Sequence, residues 1–217
     1  MELCNIWSVI ETYQTLIAGL VGFLGVILAL WFSSKATRRR DQWLRQSEVD
    51  AIAAAFYGEI IMLREAIADR ARVVVAIERR LWERDDFMAK FDDEFVERTL
   101  LPRPLMYESL APRIGILPSK WVLSLSEFYS NLEEMRNWLP RLGDKNNRGI
   151  SHFTRVALEP AERAVLGVKP LLREIEDKLG IVPPAGDPEF AQVVQQIEEE
   201  KAIVESSRGL QTPDADK

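Results

Sequence analysis

The chain has 217 residues, of which 28 are basic and 34 acidic, giving a formal net charge of −6. This acidic balance argues against a general nucleic-acid binder, and we expect no nucleic-acid partner. The single cysteine excludes a disulfide framework and cysteine-rich zinc modules, and the single histidine excludes any site that needs two imidazoles. The length allows one domain of ordinary size with an appendage.

A strongly apolar run stands near the start of the chain, and no charged residue occurs between residues 12 and 34. A helix over residues 15–34 would be about 30 Å long, which matches the hydrocarbon core of a bilayer. The alternative, a buried core helix, is rarely apolar on every face over such a length. We therefore predict a transmembrane helix at 15–34, preceded by a segment at 1–14.

A cleaved signal peptide is the competing interpretation of this run. Residues 1–14 contain Glu2 and Glu11 but no lysine or arginine, so the basic region of a signal peptide is missing. Cleavage just after the run would place Trp31 or Phe32 where a small residue is required. The pattern therefore favours an uncleaved anchor.

Basic residues follow the apolar run directly. Residues 35–45 contain five basic residues and one acidic residue, Asp41. The only charged side chains in residues 1–14 are acidic. The positive-inside rule places the N-terminus in the periplasm and residues 35–217 in the cytoplasm. A run of arginines can also mark a nucleic-acid patch, but beside a span it is typical of a topology signal that binds anionic lipid. The predicted topology and headgroup residues are Lys35, Arg38, Arg39, Arg40 and Arg45.

Small residues recur inside the span at steps of 4, 3 and 4. Such a spacing places them on one helix face, where a neighbouring helix can approach closely. Glycine and alanine are also common in membrane helices in general, which is the plainer explanation. We predict a helix–helix contact in the membrane, with a second copy or a different protein, through Ala18, Gly22, Gly25 and Ala29.

The predicted fold class is all-α: the transmembrane helix continues into a long helix and a cytoplasmic helical bundle. Apolar residues at a seven-residue spacing predict a helix over residues 42–84. Arg70 is the one exception in this apolar pattern. The helix could form a parallel coiled coil or pack against the rest of the chain. Extra apolar residues at Ile52, Ile61 and Val73 widen the stripe and favour the bundle. Residues 85–99 are acidic around Phe87, Phe91 and Phe95, a pattern more typical of a solvated helix face than of a cation site.

All 11 prolines occur from residue 102 onward, so shorter helices are predicted there. The expected helices cover residues 105–114, 119–139 with Ser119 as N-cap, and 150–179, interrupted at Pro160 and Pro170 and capped by Gly180. A last helix is predicted to begin at Asp187 and Pro188. The predicted domain boundaries are 35–45 for the basic segment, 46–180 for the cytoplasmic helical domain, 181–205 for linker and C-terminal helix, and 206–217 for a disordered tail.

Two stretches resemble small, uncharacterised, single-span inner-membrane proteins of bacteria. One is residues 13–23, Tyr-Gln-Thr-Leu-Ile-Ala-Gly-Leu-Val-Gly-Phe, leading into the arginine-rich residues, and the other is residues 107–118 with 127–129. The resemblance implies an N-terminal anchor and a helical cytoplasmic domain. It implies no activity, and no functional residues carry over from it.

No motif for catalysis or nucleotide binding occurs in the sequence. A phosphate-binding glycine loop, a dinucleotide fingerprint and a nucleophile elbow are all missing. Ser151 precedes the only histidine, His152, but sequence neighbours rarely adopt triad geometry. We expect no enzyme, cofactor or metal. The sequence favours a membrane-anchored scaffold or accessory subunit with a cytoplasmic protein partner; a self-assembling effector or pore and a membrane-tethered enzyme are the alternatives.

Overall fold

A computed structural model describes residues 3–83, 97, 99–143, 154–184 and 186–209. The chain divides into two compact units, Met1–Val49 and Asp50–Lys217. Helix α1, Leu3–Glu83, supplies the described part of the first unit and the first helix of the second. No strand occurs in the described ranges, so the predicted all-α class is confirmed.

The second unit continues with shorter helices. These are α2, Leu105–Leu110; α3, Ser119–Trp138; α4, Glu159–Gly167; α5, Lys169–Leu179; and α6, Ala191–Gly209. A 3-10 turn follows α2 at Ala111–Ile116, a second follows α3 at Leu139–Gly143, and one π-helical turn, Thr154–Leu158, leads into α4.

The core of the second unit is made of apolar stripes from every long helix. Phe56, Ile60, Leu63 and Ile67 of α1 are fully buried. Helix α3 packs against α4. The stripe on α1 is covered by side chains of the same chain, such as Tyr107 and Tyr129 beside Phe56, as the bundle alternative requires. The remaining helices contribute Leu125, Phe128, Leu132, Met135, Ala161, Ala164, Val165, Leu171, Leu172, Ile175, Val193 and Ile197.

Proline and glycine set the helix boundaries in this unit. Pro160 and Pro170 lie in the first turns of α4 and α5, where a missing N–H costs no hydrogen bond. Gly180 ends α5 with φ of 64°, a left-handed conformation that favours glycine. The predicted interruption of residues 150–179 and the glycine cap are both confirmed.

One predicted N-cap and one predicted helix start are wrong. Ser119 is the first helical residue of α3 and Pro118 is its N-cap, with no side-chain cap bond. Helix α6 begins at Ala191 and not at Asp187, because the Asp187 carboxylate is held by side chains of α1 and α5 instead of capping a helix. Helix α6 ends at Gly209, beyond the predicted end at residue 205.

Candidate functional site: an apolar segment with a basic flank

The described part of the apolar segment presents its side chains outward in every direction. Leu20, Phe23 and Leu30 are 57%, 65% and 65% exposed, and no residue from 18 to 34 is buried. In the part of the chain that the structure describes, α1 is the one helix long and apolar enough to cross a membrane. Exposure of many large apolar side chains around a helix is unfavourable in water and favourable in lipid.

The small-residue positions share one face of this segment. A methyl group added at Gly22 or Gly25 would meet no atom within 4 Å, apart from the helix's own backbone. Within the first unit, the face of Ala18, Gly22, Gly25 and Ala29 is therefore open. The predicted contact with a second membrane helix stays a prediction.

The basic flank is helical and exposed. Lys35, Arg38, Arg39, Arg40 and Arg45 all lie on the solvent-accessible surface of α1. The Lys35 Nζ atom lies 5.2 Å from the centroid of the Trp31 ring, within the range of a cation–π interaction. Trp31 in turn meets Phe32 edge-on at 5.2 Å. The structure thus joins the end of the apolar segment to the first basic residue through an aromatic side chain.

The second unit has a cleft of about 230 Å³ between α1, α5 and the segment that follows α5. The Arg64 guanidinium, 5% exposed, donates from Nη2 to Asp187 Oδ1 at 3.0 Å and from Nε to the Val165 carbonyl at 3.0 Å. Lys169 Nζ lies 2.9 Å from Asp187 Oδ2. These two cations hold the pKa of Asp187 below its usual range, with Lys169 the larger influence.

Asp187 therefore pairs with both cations at the side of the cleft. The wall of the cleft also carries Arg173, and Glu176, whose Oε1 accepts a hydrogen bond from the Tyr57 hydroxyl at 2.8 Å. Burial, with the Glu176 contact as the second cause, raises the pKa of Tyr57 to about 12. These contacts connect α1, α5 and the segment before α6, and together they form an interhelical ion-pair network.

A buried carboxylate organises a second polar cluster. Glu59 of α1, 6% exposed, accepts hydrogen bonds from the Tyr129 hydroxyl at 2.6 Å and from the backbone N–H groups of Met106 and Tyr107 at 2.7 and 3.0 Å. The rings of Tyr107 and Tyr129 stack at 4.0 Å. Burial and then the Glu59 carboxylate raise the pKa of the Tyr129 hydroxyl. Three donors compensate the burial of the charge, so Glu59 fixes α2 on the bundle.

A second buried acid lacks such compensation. Glu78 of α1 is 1% exposed, and within the described residues its carboxyl oxygens have no hydrogen-bond partner. Burial, reinforced by the Glu200 carboxylate of α6, raises the pKa of Glu78 to about 9. Both causes favour the protonated form of the Glu78 carboxyl.

None of these buried ionisable residues was predicted from the sequence, where only Arg70 stood out. Glu59, Arg64 and Glu78 each stand next to an apolar position of the α1 stripe, where a charged residue is commonly solvated. The sequence feature that could have indicated these buried residues is the width of the apolar stripe on α1. A helix covered on more than one side must also bury residues beside the apolar positions. Arg70 itself is 28% exposed and lies 3.9 Å from Asp69, at the edge of the stripe.

Two other features of the sequence lie outside the described residues: the phenylalanine positions Phe87, Phe91 and Phe95, and the pair Ser151 and His152. Within the described residues, no group of three or more histidine, cysteine, aspartate or glutamate side chains is placed to hold a metal ion.

No protein-family model matches the chain, and no curated protein or solved structure is significantly similar to it. The resemblance of residues 13–23, 107–118 and 127–129 to small bacterial membrane proteins therefore stays a prediction. Among the described residues, the feature with the clearest physical meaning is the outward-facing apolar segment with its basic flank.

Proposed function

We propose that this protein is a single-pass membrane protein of the bacterial inner membrane. Residues 15–34 cross the bilayer, the N-terminus lies in the periplasm and residues 35–217 lie in the cytoplasm. The observation that carries the proposal is the exposure of every residue from 18 to 34, directly followed by five basic residues within 35–45. Apolar side chains facing all directions match lipid, and the charge asymmetry matches the positive-inside rule.

The cytoplasmic unit acts as a helical scaffold or accessory subunit that holds a protein partner at the membrane. Its polar interior groups serve packing: Glu59 positions α2, and the ion pairs of Arg64 and Lys169 with Asp187 fasten the segment before α6. The proposal assigns no reaction to the chain. The surfaces that would bind partners are the outer faces of the bundle and the open face of the membrane helix.

Topology is testable with the chain's only cysteine, Cys4. A membrane-impermeant maleimide added to intact spheroplasts should label the wild-type protein. The variant Cys4→Ser with Val182→Cys, a position 87% exposed in the second unit, should be labelled only after permeabilisation. Labelling of Val182→Cys in intact spheroplasts and protection of Cys4 would reverse the proposed orientation.

The scaffold role is tested by purifying the tagged full chain from native membranes in mild detergent. A partner of the bundle should be recovered with wild type and lost with Leu63→Ala, which disturbs the core of the second unit but leaves the span intact. Recovery of no protein above untagged membranes would contradict the scaffold role. Ion conductance of the purified chain in planar bilayers would instead support the pore alternative.

A further inference from the structure

The basic residues that follow the apolar segment are not spread evenly around the helix. Helix α1 is continuous through this stretch. At about 100° per residue, Trp31, Lys35, Arg38 and Arg39 fall within an arc of about 100°. Arg40 lies about 150° from the centre of that arc. One side of the helix therefore carries a basic face, which we define as Lys35, Arg38 and Arg39.

The depth of the basic face along the helix matches the headgroup layer of a bilayer. With the span ending at residue 34, Lys35 to Arg39 lie about 1.5–7.5 Å beyond it. The polar layer on each side of the hydrocarbon core is about 5–8 Å thick. Arg45 lies about 16 Å beyond the span and so outside that layer.

The basic face is available to an external anion. Lys35, Arg38 and Arg39 are exposed, and no ion pair joins them to an acidic group in the described part of the chain. Lys35 lies over the Trp31 ring, whose amphipathic indole suits the boundary between acyl chains and headgroups. Asp41, the nearest acidic residue in sequence, falls outside the arc.

The direction of the basic face around the helix favours a lipid, and not a neighbouring protein helix, as its binding partner. The centre of the small-residue face of Ala18, Gly22, Gly25 and Ala29 lies about 120° around the helix from the centre of the basic face. A neighbouring helix on the small-residue face would leave Lys35, Arg38 and Arg39 turned toward lipid. Arg40, by contrast, lies on the side of the small residues.

We propose that the basic face of Lys35, Arg38 and Arg39 is a binding site for the headgroup of an anionic phospholipid in the cytoplasmic leaflet. The proposal rests on the proposed transmembrane function. The two guanidinium groups offer paired donors that match phosphate oxygens, Lys35 adds a third positive charge, and Trp31 packs beside the glycerol region. Each basic side chain near an anionic surface strengthens attraction by about fivefold.

The test uses the full chain reconstituted into phosphatidylcholine vesicles that contain a small fraction of spin-labelled phosphatidylglycerol or spin-labelled phosphatidylcholine. Electron paramagnetic resonance measures how strongly each labelled lipid is immobilised by the protein. Wild type should select phosphatidylglycerol several-fold, and Arg38→Gln with Arg39→Gln should lower that selectivity by about fivefold or more.

The matched control is Arg40→Gln with Arg45→Gln, which removes the same net charge from the other side and from beyond the headgroup layer. Its selectivity should stay within about twofold of wild type. Equal loss in both double variants, or no selectivity in wild type, would overturn the site. Carbonate extraction of the same vesicles separates the two proposals: a chain that inserts without selecting lipid contradicts the headgroup site alone, and a chain that does not insert contradicts both.

Discussion

Helix α1 passes through two regions that treat apolar side chains in opposite ways. From residue 18 to residue 34 the apolar side chains point outward on all sides, with Phe23 and Leu30 each 65% exposed. From residue 50 to residue 78 they are concentrated on a stripe, and Phe56, Ile60 and Leu63 are fully buried. Both regions are helical, and in both most of the residues are apolar.

The difference between the regions is the distribution of charge around the helix and not helix propensity. The first region has no charged residue and no polar face, so it has no side that suits water. The second alternates its apolar stripe with exposed charged residues such as Glu65, so it suits a folded unit with a solvated surface. One helix can therefore serve two environments when the pattern changes along its length.

The largest expected effect comes from comparing one leucine-to-alanine substitution in each region. Leu63→Ala leaves a cavity in a core position with 0% exposure, and should lower the free energy of unfolding of the second unit by about 2–5 kcal/mol. Leu24→Ala changes a side chain that is 49% exposed and should leave that unit within about 0.5 kcal/mol of wild type. Thermal unfolding of the full chain in detergent, followed by helical circular dichroism, measures both. Equal losses would contradict the assignment of the two regions to different environments.

A second prediction concerns Glu78, the buried acid of α1 that interacts with Glu200 of α6. Burial and the neighbouring Glu200 carboxyl raise the pKa of Glu78 from its ordinary value of 4.5 to about 9 in the folded protein. Between these values the folded state keeps a proton that the unfolded state has lost, so stability should fall as pH rises from about 4.5 to about 9. Glu78→Gln cannot ionise, and should raise the melting temperature by more than about 3 °C at pH 8, a gain that shrinks toward pH 5.

The matched control for this prediction is Glu198→Gln, an exposed acid on the same α6 helix as Glu200. It should follow the pH dependence of wild type. If wild type and Glu78→Gln melt with the same dependence on pH, the Glu78 carboxyl is not protonated in the folded unit.

These contacts also show where sequence reasoning succeeds. Apolar periodicity and the positions of proline and glycine determine local structure. The all-α class, the division at Pro160 and Pro170 and the Gly180 cap were therefore predictable from the sequence. The partners of Glu59, Arg64 and Asp187 come from helices far away in the sequence, and a single sequence contains no signal for which side chains meet. Asp187 looked like a helix cap because its local sequence suits one, and the cations of α1 and α5 hold its carboxylate instead.

The smallest expected effect concerns the open face of the first region. Gly22→Ile would separate a helix pair that packs on this face, at a cost on the order of 1 kcal/mol of association. Leu20→Ile, on a different side of the helix, should leave association unchanged. Energy transfer between labelled copies in vesicles compares the two. Equal effects from both substitutions would mean that the glycines reflect ordinary membrane-helix composition.

The central claim is that residues 15–34 lie in a bilayer, and alkaline carbonate extraction tests it most directly. Two aspartates at Phe23 and Ile27 would add about 5–7 kcal/mol to the cost of insertion, at about 2.5–3.5 kcal/mol each. Wild type and the apolar control Phe23→Leu with Ile27→Val should remain in the membrane pellet, while Phe23→Asp with Ile27→Asp should be released. Release of wild type by carbonate, or retention of the aspartate variant equal to wild type, would contradict the central claim.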